Sequence, residues 1–135
     1  MADTLLAGRV VRNRQTGWLL IGDLVVVGIF VGLGELRHGG DLRAWLVTLG
    51  EFGLAWLVVA TLLGAYGSSA LSSSSRAAGR TFLVWLLAAP LGVALRAALE
   101  PTATFSPVFL LVMLATGTVL LVPWRAIVAP RLLHD

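Results

Sequence analysis

Four ionisable residues stand in or at the edges of apolar runs, and their types and spacing set the chemistry open to this chain. Asp23 interrupts WLLIGDLVVVGIF, Glu51 lies inside AWLVTLGEFGLAWLVV, Arg96 is close to the end of a third run, and Arg125 closes a fourth. In a bilayer such residues either pair, fixing helix register, or take up a proton or cation, and they are functional candidates by default. A charge at the bilayer centre costs at least about 2.5–3.5 kcal/mol on insertion scales, so depth decides their weight. Asp23 follows Trp18 by five residues, about 8 Å inside one boundary. Glu51 follows Ala44 by seven, about 10 Å inside the other. Arginine stems reach several ångströms into the slab. Asp23 and Arg125 therefore sit at compatible depths on one side, and Glu51 and Arg96 on the other. Glu100, four residues after Arg96, is an alternative surface partner for it.

A second group, Glu35, His38 and Asp41 in ELRHGGD, falls at the mouth between the first two runs. A histidine among carboxylates can bind a metal or sense pH, although one histidine beside glycines equally suits a solvated loop. Nothing else points to metal or cofactor chemistry. There is no cysteine, and His134 at the chain end is the other of only two histidines, so a two-histidine haem site is not expected. Phosphate loops, dinucleotide glycine patterns, nucleophile elbows and paired-histidine helices are all missing. No cofactor, no resident metal and no enzymatic activity are expected.

The elements that must position these residues are membrane helices. Of 135 residues, 58% are hydrophobic and 13% charged, where a soluble domain carries about a quarter charged residues. The mean hydropathy is +0.91. Roughly 20 apolar residues cross a bilayer as helix, and four segments qualify: about 18–36, 44–66, 81–99 and 106–124. Pro90 is expected to kink the third. Residues 67–80, GSSALSSSSRAAGR, read as a flexible cytoplasmic tether. EPTATFSP, residues 100–107, reads as a stiff turn, and the chain start as a brief interfacial helix capped by Asp3 or Thr4. The fold class is all-α: a single-domain bundle of four transmembrane helices whose partner is the lipid bilayer, in the multi-pass form of a cell-membrane protein.

The net charge of +3 comes with ten arginines and no lysine. No basic patch interleaves with aromatics, so nucleic acid is not an expected partner. Seven arginines (9, 12, 14, 76, 80, 125 and 131) fall on one side of the spans and three (37, 43 and 96) on the other. The positive-inside rule then puts both termini in the cytoplasm. Lipid is as apolar as leucine, so close packing of small residues must help hold the helices together. Three pairs at four-residue spacing offer it: Gly28 and Gly32, Ala60 and Gly64, Ala88 and Gly92. They can serve packing within one bundle or a dimer seam.

The order of these features resembles a prokaryotic family of four-span membrane proteins catalogued as domain of unknown function 3054. The residues that carry the resemblance are Asp23 in the first span, Gly34 through His38 after it, Gly92-x-x-x-Arg96 in the third, and Phe109 followed by Trp124-Arg125 in the fourth. It covers about Gly17 to Ile127. Where the family pattern leads one to expect a proline early in the second span, this chain has Glu51-Phe52-Gly53. The resemblance implies a polytopic membrane protein and no particular activity. Two functions follow from the residues. One is a small transporter or channel for protons, ions or small solutes, working as a homodimer, with Asp23 and Glu51 titrating. The other is an accessory subunit of a larger membrane complex, its intramembrane ion pairs purely structural.

Overall fold

Helix-forming runs this apolar have to satisfy every backbone group internally, and in the computed structural model they do so as four long helices. The structure describes residues 14–37, 39–100 and 107–134. Helix α1 spans Arg14–Arg37, α2 Leu42–Leu62, the short α3 Ser68–Leu71, α4 Ser74–Leu99 and α5 Pro107–His134. The four long ones are each long and apolar enough to cross a bilayer, which makes this a multi-pass membrane protein. The expected interfacial helix at the chain start, the interior of the EPTATFSP turn and His38 lie outside the described residues.

Both ends of α2 have a chemical reason. Asp41 caps α2, its carboxylate accepting from the Ala44 N–H at 2.9 Å. At the other end α2 stops at Leu62, four residues before the expected Tyr66. Gly64 takes the left-handed conformation (φ 71°), Ala65 N–H bonds Ala60 C=O at 2.9 Å, and Gly64 N–H bonds Thr61 C=O at 3.2 Å. That is a Schellman stop, for which glycine suits the left-handed position. Gly64 thus terminates the helix.

The expected tether is not one. Residues 67–80 hold α3 and the first turns of α4, whose Ser73 cap accepts from the Arg76 N–H at 3.2 Å. Ala70, Leu71 and Ala77 bury themselves against the bundle. Serine-rich composition suggested flexibility, but three apolar side chains at the right phase outweigh it. Likewise α5 continues ten residues past Trp124, and α4 runs as one helix through Pro90.

The long helices form a ring in which α1 packs on α2, α2 on α4, α4 on α5, and α5 on α1. Residues 23, 66 and 125 meet at one end and 35, 48 and 96 at the other. The described start of α1 and finish of α5 therefore share one end, called the termini end; the other is the loop end. Stripes such as Trp18, Ile21, Val25, Ile29 and Leu33 on α1 face outward toward lipid.

Tryptophan set into small residues knits the ring. An indole N–H buried among apolar groups needs an acceptor. Trp45 donates from α2 to Gly28 C=O on α1 at 2.8 Å, lying over Gly28 and Gly32. Trp85 donates from α4 to Met113 C=O on α5 at 2.9 Å, where a Cβ on Gly117 would sit inside its ring. Phe52 fills the place beside Gly92 in the same way, and Ala60 and Ala88 are fully buried. The helical small residues thus serve contacts within the chain. Between the two ends the bundle axis is aromatic. Phe30 meets Trp85 edge-on at 5.4 Å, and Phe52 meets Trp85 at 6.3 Å and Phe109 at 5.9 Å.

Candidate functional site: two polar nodes at opposite ends

At the termini end the chain brings Asp23 and Arg125 together, both 0% exposed. Arg125 Nη2 lies 3.1 Å from Asp23 Oδ2 and its Nε 3.1 Å from Oδ1. The remaining acceptor positions of the carboxylate are also taken. Trp124 Nε1 donates to Oδ1 at 2.9 Å, and the Tyr66 hydroxyl donates to Oδ2 at 2.5 Å. A carboxylate offers about four lone-pair sites, so Asp23 is saturated.

The arginine is equally occupied. Its Nη1 donates to Ala65 C=O at 2.9 Å, and its Cζ lies 5.4 Å over the Trp56 ring and 4.7 Å over the Tyr66 ring. Trp56 Nε1 in turn donates to the Tyr66 oxygen at 2.9 Å. Gly22 makes the node possible, since a Cβ there would collide with the Trp124 ring. Burial, then the Asp23 charge, push the Tyr66 phenol well above its ordinary value; it stays a donor. The node is charge-neutral, fully bonded and closed. It ties α1, α5 and the turn after α2 into one joint, and Arg80 Nη1 adds a second clamp on that turn at Leu63 C=O.

The loop end is built differently. Thr48 Oγ1 donates to Glu35 Oε1 at 2.8 Å and accepts from Arg96 Nη1 at 2.9 Å. Arg96 also stands 3.8 Å from Glu51 Oε1 and 3.7 Å from Glu100 Oε2, near enough for charge attraction and too far for hydrogen bonds. Its Cζ lies 5.5 Å from the Phe109 ring centroid. Two carboxylates, Glu51 and Glu100, thus flank one guanidinium, and Glu35 is linked to it through the Thr48 hydroxyl. Glu51 is the innermost, its side chain 3% exposed, and neither of its carboxylate oxygens has a hydrogen-bond partner. Arg96 and Glu100 are 29% and 27% exposed and open the node to water.

Of the outer-mouth residues, Glu35 joins this node, and Asp41 caps α2 outside it. Among the described residues no group of three potential ligands is arranged to hold a metal ion. Sequence reasoning paired Asp23 with Arg125 by depth and did not find Tyr66, Trp56 or Thr48. Tyr66 is the sole tyrosine, at the polar end of a span, a place that an aromatic belt explains equally well. Thr48, one turn before Glu51 on α2, carried a usable signal: a hydroxyl beside an intramembrane acid.

Both nodes fall within the stretch that a known family accounts for. No curated protein and no solved structure matches the chain. Residues 20–128 match the family described as "Protein of unknown function (DUF3054)", a span that runs from just before Asp23 to just past Arg125. With four-fifths of its length accounted for in this way, the chain belongs to that family.

Proposed function

We propose that the protein is a small, non-enzymatic cell-membrane transporter or channel for protons, ions or small solutes, and that the loop-end node is its solute-contacting element. The observation that carries this is the contrast between the two intramembrane carboxylates. Asp23 has every acceptor position filled, whereas Glu51 is buried with both oxygens unpartnered. A saturated, neutral joint holds a fold together. A buried carboxylate that no hydrogen-bond donor reaches, with one guanidinium at 3.8 Å, is expensive to keep, and such groups mark ion and proton pathways in membranes. Asp23 accordingly moves from solute contact to architecture.

The aromatic axis leaves the passage to a second protomer: Phe30, Phe52, Trp56 and Trp85 are buried on the line between the nodes, so a homodimer with its pathway between protomers fits best. The seven-to-three arginine bias supports termini in the cytoplasm and the loop end outside. Purified protein in liposomes with an entrapped pH indicator, and with cation gradients, tests the role. Flux is expected, and Glu51→Gln is expected to abolish it in folded protein; flux unchanged by Glu51→Gln refutes a transport role for this node.

The same filled axis favours one other function, an accessory subunit in a larger membrane complex. Extraction in a mild detergent separates the two. A stable larger complex supports the accessory role, and a homogeneous homodimer removes it.

A further inference from the structure

We infer that the loop-end node is a proton-binding site, with the Glu51 carboxylate as acceptor, Glu100 as its relay to the aqueous face, and Arg96 as the positive charge they share. This builds on the transport role proposed for the same node and names its solute.

The charge count is the first support. Glu51 faces Arg96 and Glu100 from α4 and its C-cap, Glu35 from α1, and Thr48 from its own helix. The described part of α5 brings no ionisable group to this end, since Arg125 and Arg131 lie toward the termini end. Two carboxylates flank the Arg96 guanidinium, and Glu35 joins them through Thr48, so acid outnumbers base within the node. Glu35 is relieved by the Thr48 hydroxyl at 2.8 Å, and Glu100 by water. Glu51 has neither relief, because no donor reaches its oxygens. An ionised carboxylate in that position is stabilised by binding a cation, and the smallest demands no further ligands. A metal ion needs several oxygen ligands arranged around it, and the described residues arrange none.

The route is also in place. Arg96 Nη1 lies 3.8 Å from Glu51 and Nη2 3.7 Å from Glu100, so the two carboxylates flank one guanidinium, one buried and one wet. A hydronium ion at the aqueous face gives its proton to Glu100 and is left as water; the proton passes to Glu51, leaving Glu100 ionised beside Arg96. Release reverses the steps, and no redox partner is involved. Arg96 is held throughout by Thr48 Oγ1 and by the Phe109 ring, so the charge that sets the affinity does not wander.

Infrared difference spectroscopy on the full chain in lipid nanodiscs, titrated with acid, reads this directly. The expected result is a protonated-carboxyl band that shifts in heavy water, disappears in Glu51→Gln and survives in Glu35→Gln. Its midpoint is expected to fall in Glu100→Gln, which removes a neighbouring negative charge, and to rise by about one pH unit or more in Arg96→Gln. Those two shifts keep the test decisive if Glu51→Gln does not fold. A band that persists in Glu51→Gln, a midpoint indifferent to Arg96→Gln, or no band at all overturns the inference. So does loss of the band on adding sodium or calcium at fixed pH, which would assign the site to a metal cation. A titrating band without flux in liposomes refutes transport and leaves the proton site standing; flux without the band does the reverse.

Discussion

Breaking the Asp23–Arg125 joint from one side should cost nearly as much as removing both partners together. Asp23→Ala leaves the Arg125 guanidinium fully buried with only Ala65 C=O and two aromatic faces, and it strips the acceptor from Trp124 Nε1 and the Tyr66 hydroxyl. Arg125→Met leaves the Asp23 carboxylate with two neutral donors. Removing one member of a buried pair costs about 3–5 kcal/mol, because the surviving charge keeps its desolvation penalty. In Asp23→Ala/Arg125→Met no buried charge survives, and what remains is three neutral groups short of a partner. The double variant should therefore lie close to either single one, with a coupling energy of at least about 2 kcal/mol. Unfolding in mixed micelles, followed by the fluorescence of Trp56 and Trp124, measures all four corners of the cycle. If the two single costs simply add, or if neither variant is destabilised, the pair is not the joint described. Exchanging the charges should not restore stability. A carboxylate at position 125 would face Ala65 C=O, and a guanidinium at position 23 would face the Trp124 N–H, setting acceptor against acceptor and donor against donor.

Two further outcomes are expected from the same unfolding assay and its optical variants. Gly92→Ala forces a methyl group into the Phe52 ring and should cost about 1–3 kcal/mol, whereas Gly50→Ala, with open space around it, should be neutral or slightly stabilising. Tyr66 gives the pH dependence. Its phenol is pushed above the unfolded value of about 10, so the folded state holds its proton where the unfolded state has lost it. The contribution of this group is complete below about pH 10 and declines as pH rises above it. Because this is the sole tyrosine, tyrosinate absorbance should appear only together with the loss of tertiary signal; tyrosinate formed in fully folded protein would contradict its burial.

The parts legible in the sequence were those governed by local rules. Run length and hydropathy found the four spans, and depth along a helix brought Asp23 to Arg125 across 102 residues. Hydropathy could not find the end of α2, because Gly64, Ala65 and Tyr66 are apolar enough to extend the run while the stop is a backbone conformation at one glycine. Serine-rich composition hid α3 and the start of α4, whose order comes from Ala70, Leu71 and Ala77 meeting the bundle. The fullness of the Asp23 site and the isolation of Glu51 were both out of reach. Each depends on which side chains from distant helices arrive within 3 Å or so of an oxygen, and no spacing within one helix encodes that.

The joint at the termini end also sets a timetable for biosynthesis. Asp23 enters the membrane in the first span, and its arginine is the 102nd residue after it. At about 5–20 residues per second, roughly 5–20 s of translation separates the two. Through that interval the first hairpin can offer Asp23 the Tyr66 hydroxyl alone of its four donor groups, and the carbonyls of the turn after α2 await Arg80 and then Arg125. Arg125 is thus the last charge the joint receives, and a chain that stopped short of α5 would leave Asp23 with neither its counter-ion nor the Trp124 donor.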